Sequence, residues 1–391
     1  MLLNSAAMHL RSRIYSLLLA FYLISSTAKL IRAEDSLTYK YEDYQEDNDR
    51  IRVVAHYLRV EKDLGVNTKL GVVGLVDTIT GSTPTGEPIQ EDDLNQVPLE
   101  TLEDRRKSVV VDLDHKRKDH SFSFELSYSD ESDYESKGGV VGYKRELNKN
   151  NTTLQLGYSL LEDDLTAPTL RDPEAKTSHD LYAGVSQVID SSTVLTTNIS
   201  YGKENGYLGD PYKAVQKTIE ILPDFFLPIL FPENRPRSRE KWIFFSEIQR
   251  DIPNANASLQ GSYRYFSDDA GINSHTWNLE WFQKLGDHVI LRPVYRYYRQ
   301  SASDYYFYDL DTSNVIPDRS NAGNAPFYSS DHRLSKMETN TYGLKLIWFI
   351  NDDLEFNVKF NRYEMKGLDG ITHFSAYSDA DILTVGGRWW F

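Results

Sequence analysis

Short and long breaks between alternating segments succeed one another without exception along this chain. The short ones fall at residues 63–67, 117–120, 147–151, 189–192, 251–254, 285–288 and 350–353. They are rich in Asn, Asp and Gly, the residues that tight hairpins require. Between them lie connections of variable and often great length, at 45–49, 78–104, 129–134, 163–176, 205–235, 267–271, 303–335 and 366–380. The segments they join alternate with a period of two. In 121–128, Phe122, Phe124, Leu126 and Tyr128 oppose Ser123, Glu125 and Ser127; in 354–361, Leu354, Phe356, Val358 and Phe360 oppose Glu355, Asn357, Lys359 and Asn361. This is the half-buried strand pattern. Seven short turns and eight longer loops join sixteen strands, of which 37–44 is the weakest. A soluble sandwich has no reason to sort its loops by parity. An even number of strands with short turns on one rim and longer loops on the other is the transmembrane barrel arrangement. Closure also removes the open sheet edge that lipid cannot satisfy.

The last eleven residues, DILTVGGRWWF, fit the same reading. Leu383, Val385, Gly387, Trp389 and Phe391 share one face, and Ile382, Thr384, Gly386, Arg388 and Trp390 the other. The segment resembles the closing strand of a bacterial outer-membrane β-barrel, in which a terminal Phe is the signal read by the barrel-assembly machinery. Phe391 is thus the expected membrane-insertion signal.

Composition agrees. Apolar content is only 40%, yet aromatic content is 13% with 26 Tyr, and a disordered chain would be poor in aromatics. A wide barrel needs one apolar residue in two, with Tyr and Trp in girdles at the water–lipid boundaries. The absence of Cys excludes disulfide scaffolds, thiol catalysis and Cys-based metal sites. A formal charge of −15 does not favour nucleic acid and suits attraction of cations, or charged loops held near divalent ions.

Residues 1–33 read as a secretory signal peptide. Arg11 and Arg13 supply its positive region and 14–24 (IYSLLLAFYLI) its apolar region, with cleavage expected after Ala33. The apolar run is too short for a spanning helix. The expected division is therefore a signal peptide, 1–33, and a barrel, 34–391, in the bacterial outer membrane beside lipid and lipopolysaccharide.

Several segments resemble a family of bacterial outer-membrane proteins known as a domain of unknown function, number thirty-five-seventy. They are DTITGSTP from Asp77, NGYLGDPYK from Asn205, ENRPRSR from Glu233, YRYFSDD from Tyr263, SHT from Ser274, PVYRYYRQ from Pro293 and SDHRLS from Ser330. The resemblance implies the location and the barrel fold, with no established reaction, cofactor or ligand. It also associates such chains with small lipoproteins and flavin-attaching enzymes, which implies a redox or metal-handling partner of the envelope.

Two groups of residues are candidates for function. Asp77, Asp210 and Asp331 fall in three long connections on one expected side. With Lys213, Arg235, Arg237, Arg239 and Arg333 they can build a polar network at the outer mouth, either a cation or solute site or ion pairs that fold the loops over the barrel. Arg264, Arg292 and Arg296 share the lumen-facing parity on neighbouring strands, with Arg299 out of step, past a bulge or beyond the bilayer. Charges facing across a pore select solutes; the plain alternative is a lumen stiffened by salt bridges. Segment 219–231 (IEILPDFFLPILF) is apolar and interrupted by Pro223 and Pro228, so it is expected to be a loop that constricts the mouth, packs on the outer leaflet or forms a loop core.

Catalysis is not expected. Ser330, Asp331 and His332 are chain neighbours, which rarely form a triad. His56, His115, His120, His179, His275, His288 and His373 show no metal-ligand spacing, and no Gly-rich phosphate loop is present. The expected activity is passage of a small solute or ion through a polar lumen, without cofactor. The alternative is a non-conducting barrel that holds a periplasmic or lipoprotein partner.

Overall fold

A computed structural model describes residues 35–90, 93–318 and 322–391. The expected signal peptide, 1–33, lies outside the described residues. Sixteen strands form one closed antiparallel barrel. In chain order they are β1 (Ser36–Glu46), β2 (Arg52–Asp63), β3 (Thr68–Pro84), β4 (Leu99–Arg117), β5 (His120–Asp130), β6 (Tyr134–Leu147), β7 (Thr152–Leu165), β8 (Glu174–Asp190), β9 (Thr193–Gly206), β12 (Ser238–Ile252), β13 (Ala257–Asp268), β14 (Asn273–Leu285), β15 (Val289–Gln300), β16 (Met337–Asn351), β17 (Leu354–Gly367) and β18 (Ala380–Trp390). Two further strands, β10 (Ala214–Leu222) and β11 (Phe225–Pro232), form a separate hairpin. The weak segment 37–44 belongs to β1, which closes the ring by pairing with both β2 and β18, Ser36 opposite Trp390.

Period-two alternation becomes a two-faced wall. Leu126, Leu156, Leu181, Trp277, Leu279, Leu344 and Phe360 stand exposed on the outside, an apolar band that in water would be an association surface and in lipid is the solvated face. Aromatic residues mark its edges. On the outward face, tyrosine hydroxyls lie 2.8 Å from histidine Nδ1 atoms at Tyr39–His56, Tyr158–His179 and Tyr263–His275. Each pair gives the amphipathic ring a polar partner where apolar wall gives way to polar. At the other end the Trp389 and Phe391 rings pack at a tilt with centroids 4.6 Å apart, and the Phe391 N–H donates to the Asp35 carbonyl.

Tight turns follow β2, β4, β6, β8, β12, β14 and β16, and the longer connections gather on the opposite rim. Several of those connections are shorter than the sequence implies, because the strands run on past the apolar band. The break expected at 78–104 shrinks to 85–98, since β3 and β4 continue to pair up to Pro84 and Leu99. Glu103, Arg105 and Lys107 occupy outward positions on this extension, above the apolar residues Val109 and Val111.

Segment 219–231 stays out of the barrel sheet, as expected, but it is ordered. It belongs to a two-stranded β-ribbon separate from the barrel sheet. Pro228 sits opposite Thr218, and Thr218 donates its N–H away from the ribbon, to Asp311. At such a non-bonded position a missing N–H costs no ladder bond. The ribbon base is buried: Val215 and Phe231 pack with Leu310 and Tyr328. Its tip is not, with Leu222, Phe225 and Phe226 exposed.

Candidate functional site

The long connections fold inward and tie to one another across the mouth. The Ile89 N–H, between β3 and β4, donates to Tyr308 Oη, between β15 and β16, at 3.0 Å. The Val97 N–H donates to Ser375 Oγ at 2.9 Å, and Arg50 Nη1 to the Ser375 carbonyl at 2.7 Å. Asn234 Nδ2 donates to the carbonyls of Asn324 and Pro326 at 2.7 and 2.8 Å. Gly86, at φ +97°, lets the chain after β3 pass close against Ser330 and the Ala214 carbonyl, where a Cβ would collide. Segments far apart in sequence thus make one cap.

At its centre is Asp331. Its side chain is 2% exposed and lies at the N-terminus of a single 3-10 turn, His332–Leu334. It accepts from the Arg333 N–H at 3.0 Å, Arg333 Nε at 2.8 Å, Arg333 Nη2 at 2.7 Å and Arg235 Nη2 at 3.0 Å. Arg333 Nη2 also reaches Asp210 Oδ2 at 2.6 Å. Arg235 Nη2 donates to Glu233 Oε2 at 2.9 Å, and Glu233 in turn accepts from Ser329 Oγ and the Asp210 N–H. Lys213 Nζ donates to the Pro84 carbonyl and, at 3.4 Å, to Thr83 Oγ1. Gln300, at the end of β15, holds the turn from below through the carbonyls of Arg333 and Ser335 at 2.8 and 2.7 Å.

The electrostatics follow from burial and pairing. Asp331 is desolvated, but two guanidinium groups overcome this and hold its carboxyl well below the usual range. Glu233 is buried more effectively than it is compensated, so its pKa is pushed up to about 7, with Asp331 adding repulsion. Burial pushes the His332 imidazole down to about 4 and lowers Lys213. Two cavities flank the bridge, one of about 380 Å³ between it and β1, β3 and β4, the other of about 420 Å³ toward β6 and β7; Asp210, Tyr212 and Arg333 line both. Among the described residues no cluster of His, Asp or Glu is arranged to hold a metal ion.

Asp210, Arg235, Asp331 and Arg333 therefore meet in one network, to which Lys213 is joined by its N–H on the Asp210 carbonyl while its ammonium ties to the end of β3; three other residues named from the sequence do not meet there. Asp77 is corrected from loop to wall: it lies in β3 on the lumen side, opposite Arg106 and bonded to Arg106 Nε at 2.9 Å. Arg237 pairs with Glu174 at the rim, and Arg239 binds Asp268 through Nε at 2.8 Å. The sequence assigns neither Glu233 nor His332 to this network, although His332 stands beside Ser330 and Asp331 as a catalytic candidate that the spacing disfavours. Each is within two residues of a named cap residue, but nothing in the sequence marks it as buried.

Below the cap, Arg264, Arg292 and Arg296 face the lumen. Arg292 pairs with Glu280, while Arg264 and Arg296 lie over the rings of Phe266 and Tyr298 at 5.3 and 5.7 Å. Arg299 points outward between His275 and Glu338, and β15 reaches it without a register shift, so no bulge is involved. On lumen-facing positions of the next strands stand Lys345 and Lys359, which the sequence reading did not single out. Several other lumen charges are paired: Arg59 with Asp112 at 2.9 Å, Arg388 with Glu61 at 2.6 Å and Lys241 with Glu204 at 2.8 Å.

Comparison with known proteins places this geometry. The model of a family described as "Protein of unknown function (DUF3570)" matches residues 5–174 and 168–375. No curated protein sequence matches. Among solved structures, a bacterial polysaccharide outer membrane secretin superposes with a TM-score of 0.51 at 8% identity, covering 92% of this chain and 99% of that one. CdiB from Acinetobacter baumannii also gives 0.51 at 8% identity, over 92% of this chain and 60% of that one. The ferric enterobactin receptor PfeA of Pseudomonas aeruginosa gives 0.44 at 13% identity over 86% of this chain, which spans 54% of the receptor's length. The chain has the fold of outer-membrane barrels.

Proposed function

From the premise that the chain belongs to the DUF3570 family, we propose that it is an outer-membrane channel that passes a small solute or ion through a water-filled lumen, with the loop cap setting access. The observation that carries this reading is a set of lumen cations without an ion pair. Arg264, Arg296, Lys345 and Lys359 have no carboxylate within ion-pair distance among the described residues. Isolated charges in a dry interior cost several kcal/mol each, so these require water or a ligand beside them. Sixteen-stranded barrels are wide enough for that. Ser121, Ser123, Glu125, Ser127 and Ser129 line β5, diametrically opposite β15 in the strand order, and add a second hydrophilic wall. Phe391, packed at the closing strand, is read as the assembly signal, and the outer membrane as the location.

The test is single-channel recording from the refolded barrel in planar bilayers. Defined conductance steps in the wild type, or in a variant whose cap is loosened, support passage. A second reading rests on the cap itself, which closes the mouth with buried ion pairs: a non-conducting barrel that holds a periplasmic or lipoprotein partner. Silent bilayers for both the intact and the loosened protein, with a partner retained through purification, favour that alternative.

A further inference from the structure

The cationic patch on the lumen wall has an order that suggests its ligand. Arg292 on β15 is opposite Lys345 on β16, and Lys345 is opposite Lys359 on β17. Three cations therefore lie side by side in one row of three adjacent strands. Like charges directly opposite one another destabilise a sheet, and this row has a single carboxylate at ion-pair distance, Glu280 on Arg292; Glu355 and Glu42 act on the two lysines only from farther off. Lys345 and Lys359 are left without an ion pair among the described residues. Nearer the cap Arg264 and Arg296 continue the same sign, each braced by a ring, with no carboxylate at ion-pair distance among the described residues.

The protein as a whole carries a charge of −15. A basic strip inside an acidic molecule is thus local and not a consequence of composition.

We propose that the row Arg292–Lys345–Lys359, with Arg264 and Arg296 between it and the cap, binds a small multiply charged oxyanion, the class that includes phosphate and di- and tricarboxylates. This deepens the passage reading and rests on it for the role of the site. Lysine ammonium groups donate in three directions and guanidinium groups donate in forks, so together they match the several oxygens of such a solute. A neutral sugar offers no charge to pair with the two lysines. A nucleic acid is disfavoured by the acidic charge of the rest of the protein.

The test uses the full refolded barrel and inorganic phosphate, with citrate as the carboxylate arm. Binding is measured in detergent by equilibrium dialysis, which needs no conduction. Conductance is measured separately in a KCl gradient. The wild type is expected to bind one of the two anions saturably at millimolar concentration, and Lys345→Gln with Lys359→Gln to weaken that binding tenfold or more. Lys203→Gln, on the outer face against Glu240, leaves it unchanged. Where channels are seen, they are expected to prefer anions and to be blocked by the bound species, with the preference lost in the double variant. No saturable binding of either anion to the wild type overturns the site, even if channels are present. Binding that is lost in the variant, in a barrel that never conducts, sustains the site and overturns passage. If the double variant fails to show the heat-dependent SDS mobility of a folded barrel, the wild-type binding result still decides.

Discussion

Asp331→Asn tests the charge at the centre of the cap: the substitution keeps shape and one acceptor, removes the negative charge, and turns the other oxygen into an NH2 that faces guanidinium donors. In the native cap that charge faces Arg235 and Arg333, at 3.0 and 2.7 Å. Removing one partner of a buried pair typically costs about 3–5 kcal/mol, since the other charge is left uncompensated. Here the lower end applies. Arg333 is 55% exposed and keeps Asp210, and Arg235 keeps Glu233. About 3 kcal/mol corresponds to a shift of roughly a hundredfold in the ratio of closed to open cap. The barrel should not share that loss, because its strands are held by a closed ring of ladder bonds that Asp331 does not enter. The assay is native-state proteolysis at low protease, where cleavage tracks the population of the open form. Cleavage within 301–336 should accelerate by about two orders of magnitude, while the folded-barrel band in unboiled SDS gels is unchanged. Cleavage within about threefold of wild type would refute the assignment of Asp331 as the keystone. Joint loss of the cap and the SDS-resistant band would refute the separation of cap from barrel.

The pH dependence of the cap should be nearly flat between about 5 and 6.5, because two buried groups oppose each other there. Glu233, raised from 4.5 to about 7, favours the closed cap at low pH and loses that contribution as pH rises through 7. His332, lowered from 6.5 to about 4, stabilises the closed cap fully above 6.5 and loses that contribution as pH falls toward 4. Glu233→Gln should therefore leave a cap that loosens on acidification, and His332→Asn one that loosens as pH rises; the same slope in both variants, by proteolysis, would contradict these assignments. On the wall, Leu279→Arg should cost about 2–4 kcal/mol if it enters the bilayer midplane, whereas Asn278→Arg, one residue away on the lumen face, should fold in comparable yield. Urea titration of the two variants in lipid vesicles compares them, and equal destabilisation would contradict the assigned faces.

Much of the barrel is legible in the sequence because both of its determinants are local. Side-chain parity is set by the pleat, and loop class by which breaks carry tight-turn residues. β1 is the exception: its own alternation is weak, and only its pairing with β2 and β18 makes 37–44 part of the ring. The cap is less legible. Asp210, Lys213, Arg235, Asp331 and Arg333 were grouped by sharing a rim, and Asp77 with them. Where β3 stops being a strand depends on its pairing with β4, which no property of residues 77–84 announces. The same holds for the ribbon at 219–231: its prolines argue against a strand in a full sheet, but not in a two-stranded ribbon with open edges.

The lumen shows the division most plainly. Alternation alone assigns Arg264, Arg292 and Arg296 to the inner face, and Lys359 too. That Lys345 and Lys359 become neighbours is decided elsewhere, by a register shift between Phe349 and Asn351 at the β16–β17 turn. Without it Lys345 would stand opposite Phe360, and inward and outward faces would be mismatched along the whole hairpin. The sequence by itself determined which residues could face water inside the barrel, because the pleat has a period of two. Only the tertiary structure decided which of them meet, because a single extra residue in a turn moves every cross-strand partner by one position.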